Sequence, residues 1–229
     1  MGDILNYYVK LVDFMANMMG EDCEVVLQDC RKQSQSIVAI SNGHISGRSV
    51  GAPLTDYGLK IIADGHWKTR DWDVNYQGRT QSGKTLICSI FFIKEKNELV
   101  GMLCFNSDPS RYIQMSRELL KMGGITWDTN LPEDKEIRTM ERFANSVPDM
   151  IYGAADETFG IGNYVRIDHL NQDERLRLLE NLEEKGVFQL KGAVSEVASH
   201  LGCSEASMYR YLSKIAKMKK ERQKEKEYL

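Results

Sequence analysis

The chain has 229 residues, 42% of them hydrophobic and 28% charged, the balance of a globular protein rather than a disordered or fibrous one. Its net charge of −3 argues, taken as an average, against a polyanionic partner, and no run approaches the ~20 consecutive apolar residues of a membrane span. Residues 1–8 lack the basic start and long apolar run of a secretory signal. Five cysteines (Cys23, Cys30, Cys88, Cys104, Cys203) without a C-x-x-C pair fit reduced thiols in a cytoplasmic protein.

In chain order, Leu5, Tyr8, Val12, Met15 and Met19 recur at helical spacing and predict an amphipathic helix over 4–19, stopped by Gly20. Two short β-branched segments, 23–27 and 36–40, predict strands separated by a polar turn. Residues 42–48 (Asn-Gly-His-Ile-Ser-Gly-Arg) form a glycine-punctuated loop, and 53–64 reads as a short helical stretch closed by Gly65. Segments 74–80, 84–93 and 99–106, joined by connections of hairpin length, predict a meander. Residues 86–93 are apolar at nearly every position and predict a central strand buried on both faces. Asp108-Pro109 opens a further helix that Gly123-Gly124 ends. This order predicts an α+β unit, a five-stranded antiparallel sheet with helices on one face.

Residues 125–169 carry the weakest pattern, with 133–145 reading as helical and Pro148 interrupting it. Beyond them, Asn171 and Glu174 stand in a capping-box arrangement ahead of a leucine-lined helix over 171–185, which Gly186 stops.

Residues 194–212 (VSEVASHLGCSEASMYRYL) carry the strongest motif. Two short helices that cross closely need a small residue in the first, here Ala198. The turn needs a residue that tolerates positive φ, here Gly202, and Ser204 is placed to cap the second helix. Val194, Val197, Leu201, Met208, Tyr211 and Leu212 fall at core-facing positions. In a helix-turn-helix the start of the second helix enters the major groove of double-stranded DNA. Glu205, Ala206, Tyr209 and Arg210 would then face base edges, with Ser204 and Lys214 on phosphates.

Local charge agrees. Residues 186–229 hold nine lysines and arginines against five acids, a balance of +4, leaving residues 1–185 at −7. The alternating lysines and glutamates of the tail, 217–226, fit either a basic arm or a solvated helix end. A helical hairpin used only for packing is the bland alternative to DNA binding.

The stretch Phe188 to Val194, leading into Ala198, Leu201-Gly202, Ser204 and Tyr209 to Leu212, resembles the helix-turn-helix of the YheO-like bacterial transcriptional regulators. Asn42 to Arg48 with Gly51 to Asp56, and Gly101 to Asn106, are similar to the PAS-type sensor domain of that family. The resemblance covers about 22–122 and 170–213 and implies a cytoplasmic DNA-binding regulator; the chain is then expected to divide into a PAS-like sensor or dimerisation domain over 1–124, a partly helical connector over 125–164, and a helix-turn-helix domain with a basic tail over 165–229. A homodimer on paired half-sites is expected, because one helix-turn-helix unit buries too little on DNA for high specificity, and a small-molecule effector is possible.

Within the loop, Asn42, His44, Ser46 and Arg48 are the ligand-binding candidates, Arg48 holding a carboxylate in a fork. Equally, they could tie the loop to its own domain. His44 and His66 lack metal-ligand spacing, so no metal and no cofactor is expected. With no phosphate loop, G-x-S-x-G or H-E-x-x-H, the chain is not expected to be an enzyme. A PAS-type interaction module docking its helical end on a protein partner is the competing function. Steep salt dependence would mark the DNA binder.

Overall fold

The computed structural model describes residues 4–125, 140–160 and 167–227, and the chain divides into two compact units, Met1–Asn145 and Ser146–Leu229. In the first, helix α1 (Leu5–Met19) leads into strands β1 (Cys23–Asp29) and β2 (Ile37–Ser41). Helix α2 (Asp56–Asp64) follows, then the meander β3 (Trp72–Arg79), β4 (Thr85–Glu95) and β5 (Glu98–Ser107). Helix α3 (Ser110–Met122) and a short strand β6 (Met140–Arg142) complete it. The sheet order is β2-β1-β5-β4-β3-β6.

The alternation of Val25, Val26 and Leu27 along β1 sends side chains to opposite faces, and each face has its own core. Val26, Ile90, Met102 and Cys104 meet Tyr57 and Ile61 of α2, whereas Val25, Leu27 and Leu103 meet Leu5, Val12 and Ala16 of α1.

Three expectations need correction. Among the described residues the sheet has six strands rather than five, and it is mixed, because β6 pairs in parallel with β3. Helices cover both faces, not one. The strand buried at every position is β1, since α1 lies over its outer side. β4 alternates instead, with Ile87 and Phe91 37% and 38% exposed, while Ile93 at its far end on the same face is buried in the core that α1 closes.

The segment expected to be helical over 133–145 lies outside the described residues as far as 139, and its described part contains β6. Pro148 does not interrupt a helix. It sits in the first turn of helix α4 (Val147–Phe159), where a missing N–H costs nothing, after Ser146 has capped Asp149 N.

α4 belongs to the second unit with α5 (Gln172–Glu184), α6 (Ala193–His200) and α7 (Glu205–Glu227). Their core is Leu178, Leu179, Leu182, Val187, Val197, Leu201 and Met208, all fully buried.

Candidate nucleic-acid interface

The second unit builds its exposed surface from the capped helix α5. Asn171 accepts from the backbone of Asp173 and Glu174, both at 3.0 Å, and Glu174 returns a carboxylate to Asn171 N at 2.9 Å. Gly186 ends this stretch at φ 72°. Ala198 is 3% exposed where α6 crosses its neighbours. Gly202 makes the turn at φ 61°, which any side chain would strain. Ser204 Oγ accepts from Ser207 N at 3.2 Å and so caps α7. Met208 and Ile215 then bury one side of α7, with Tyr211 and Leu212 half-buried beside them.

The opposite side carries the residues expected at a groove. Ser204, Glu205, Ala206, Tyr209, Arg210 and Lys214 are all exposed, Tyr209 at 59%. Arg210 Nη2 donates to Ser207 Oγ at 2.9 Å, which aims the guanidinium along the first turns of the helix. Arg210 and Lys214 line a cleft of about 350 Å³ together with Gln172, Ser207 and Tyr211. Sequence reasoning did not single out Gln172 or Ser207. The i, i+3 spacing of Ser207 and Arg210 is the signal that could have found the latter.

The basic tail is continuous helix, and part of it turns inward. Lys219 pairs with Glu183 and Glu184, and Arg222 with Glu180, tying the far half of α7 to α5.

In the first unit the four loop candidates do not converge. Asn42 donates to Gly20 O and Cys23 O (3.0 and 2.7 Å) and closes the turn between α1 and β1; His44 faces solvent. Ser46 and Arg48 point inward. Ser46 donates to Glu24 through its hydroxyl (2.6 Å) and its backbone (3.2 Å), and Asn106 Nδ2 donates to the other oxygen of Glu24 at 2.8 Å. Arg48 donates to Pro53 O, while its Nε and Asn106 Oδ1 have no hydrogen-bond partner among the described residues.

Glu141 of β6 is also buried, accepting from Thr55 Oγ1 and from the Tyr76 hydroxyl at 2.9 Å. Burial pushes its carboxyl up to about 7 and raises that of Glu24. Burial lowers the pKa of the Arg48 guanidinium, and the nearby carboxylates Glu141 and Glu24 oppose that shift. A glutamate inside the otherwise apolar run Cys23–Leu27 is the sequence signal for such a polar interior.

Residues 1–123 match the family of the YheO-like PAS domain, more than half of the chain. The chain belongs to the YheO-like PAS family. Residues 161–213 match an HTH domain. Over 211 residues the chain is 28% identical to the "Uncharacterized protein YheO" of Escherichia coli (strain K12), covering 92% of this chain and 84% of that protein. It is 29% identical over 213 residues to an "Uncharacterized protein" of Haemophilus influenzae, covering 93% and 91%. This member of the YheO-like PAS family therefore joins two regulatory domains, neither of them an enzymatic type, and its HTH domain points to DNA. No helix among the described residues is long and apolar enough to cross a membrane.

Proposed function

We propose that this chain is a cytoplasmic, homodimeric transcriptional regulator that reads double-stranded DNA with the start of α7. The observation that carries the reading is the division of that helix. Met208 and Ile215 close a core against α5 and α6, while Glu205, Ala206, Tyr209 and Arg210 stand clear of it on the first two turns. Arg210 suits a guanine edge, and Ser204 and Lys214 flank the strip as phosphate contacts.

Selection from a random duplex library tests this. The full chain is expected to enrich paired half-sites about 34–36 Å, one helical turn, apart. Arg210→Ala should weaken binding to the enriched duplex by about 1–3 kcal/mol and relax preference at one position. Unchanged affinity and sequence preference in that variant would remove the assignment.

A small anionic or zwitterionic effector bound at the polar interior completes the proposal, held by Ser46 and Arg48, the two of the four loop candidates that point inward. The unpartnered Arg48 Nε and Asn106 Oδ1, a buried donor and a buried acceptor, support it. Such an effector acts by favouring one arrangement of the dimer over another. In a thermal-shift panel of carboxylates and amino acids, compounds that stabilise the wild type are expected to lose their effect in Arg48→Ala. A retained shift would place binding elsewhere.

A further inference from the structure

The carboxylates Glu24 and Glu141 are buried in the first unit with the guanidinium of Arg48, and the two acids are held differently. Glu24 lies in β1, which is paired on both sides, and accepts from the Ser46 hydroxyl and backbone and from Asn106 Nδ2. Glu141 lies in β6, a strand of three residues that pairs with β3 alone among the described residues. It accepts from two hydroxyls, those of Thr55 and Tyr76. Arg48 forms an ion pair with neither acid among the described residues; it donates to Pro53 O and leaves Nε without a partner. The packing of β6 does not ask for a charge at 141. Phe143, two residues on and facing the same core, is 2% exposed and lies so close over Gly78 that a Cβ there would clash with its ring. An apolar residue at 141 would be buried at less cost than a carboxylate.

Three ties join β6 and the residues after it to the segment 47–56, which carries Arg48. Thr55 holds Glu141, Asp56 Oδ1 accepts from Arg142 N at 2.9 Å, and Gly47 O accepts from Asn145 Nδ2 at 3.3 Å. Only residues 143–145 separate β6 from Ser146, the cap of α4. β6 is therefore the last strand of the first unit before the chain enters the second.

We propose that the hydroxyls of Thr55 and Tyr76, with Arg48, are the carboxylate subsite of the effector, that Glu141 fills it in the free protein, and that a small carboxylate binds by displacing Glu141 and releasing β6. The structure already seats a carboxylate on these donors, its own. A third carboxylate beside a single buried guanidinium is costly, because each buried charge needs a partner, so one of the three must leave. Glu24 cannot leave without breaking a strand paired on both sides. Glu141 leaves with the loss of two hydroxyl bonds and the pairing of three residues. The carboxylate that replaces it accepts the same two bonds and adds the contact to Arg48 Nε that Glu141 does not make, which supplies the differential affinity a displacement needs. By linkage, a seated β6 weakens the effector by the factor by which the effector weakens the seating. The inference rests on the effector reading above and adds where the acid group sits and what it moves.

Acetate and propionate are the probes, titrated calorimetrically into the full chain, with sodium chloride at equal ionic strength as the control. Glu141→Ala removes the internal competitor. It is expected to bind both acids about 10-fold or more tighter than the wild type, in which the released state is a minor one of ~0.1–10%. Adding Tyr76→Phe, which removes one hydroxyl and keeps the ring, is expected to weaken that binding by about 10-fold. A second measurement needs no substitution. Saturating acetate is expected to speed hydrogen exchange in the wild type at the amides of Arg142 and Phe143, bonded to Asp56 Oδ1 and Arg79 O, by about 10-fold, and chloride to leave it unchanged. Equal affinity of the wild type and Glu141→Ala, slower exchange at these two amides with acetate, or the same response to chloride overturns the displacement and leaves the effector reading standing. Acids that bind neither protein remove the subsite, and a wider panel of carboxylates and amino acids that also fails to bind removes the effector reading with it.

Discussion

Glu141 reaches the interior of the first unit from a strand of only three residues, and its protonation is coupled to folding. Burial raises its pKa from 4.5 to about 7, so between those values the folded chain holds a proton that the unfolded chain has lost. The stabilisation is therefore complete below about pH 4.5 and is lost as the pH rises through about 7. Glutamine mimics the neutral carboxyl. On moving from about pH 5 to about pH 8, wild-type melting should fall by roughly 5–10 °C more than that of Glu141→Gln in differential scanning calorimetry. Equal slopes for the two proteins would show that the carboxyl is already ionised in the fold. Glu24, also raised by burial, acts in the same direction in both proteins and cancels from the comparison. Little of this cluster was legible in the sequence. Ser46 and Arg48 stand out in their loop, but their neighbours Glu24, Asn106 and Glu141 come from three separate strands. The register of β1 on β5 sets Glu24 opposite Asn106, and the parallel pairing of β6 with β3 brings in Glu141.

At the scale of elements, α7 divides its cations between two tasks. Lys214 is exposed on the side of Arg210, whereas Lys219 and Arg222 are held by acids of α5. A cation that releases counterions from DNA contributes about 0.9 to the slope of log affinity against log salt. Lys214→Ala is expected to reduce that slope by about one. Lys219→Ala and Arg222→Ala should leave it unchanged and instead lower stability by up to about 1 kcal/mol, the range of exposed ion pairs. Fluorescence anisotropy over a salt series separates the two groups. A reduced slope in Arg222→Ala would mean that the pair opens on DNA.

The helix-turn-helix was legible because Ala198, Gly202 and Ser204 act within a few residues of one another. β6 was not, since three residues show no period and a parallel partner supplies no hairpin. Nor was the exposure of β4. An apolar run records what a strand can bury, and the position of α1 decides what it does bury.

Charge at the scale of the whole molecule changes meaning once the units are known. The split of −7 and +4 divides the chain after residue 185, between α5 and the helices it packs against. Counted by compact unit, residues 1–145 carry 17 basic and 19 acidic residues and residues 146–229 carry 13 and 14, or −2 and −1. The asymmetry lies between elements of the second unit, whose acids on α5 neutralise part of α7. A unit of −1 cannot rely on bulk attraction to DNA, so its affinity must come from the local strip and from pairing two strips. Linking two binding modules typically raises affinity ~10²–10⁴-fold without any new contact. Wild-type chain should therefore prefer a duplex with two half-sites over one with a single half-site by about that factor. Anisotropy with both duplexes at one salt concentration measures this directly. Equal wild-type affinity for the two would mean that the strips act independently.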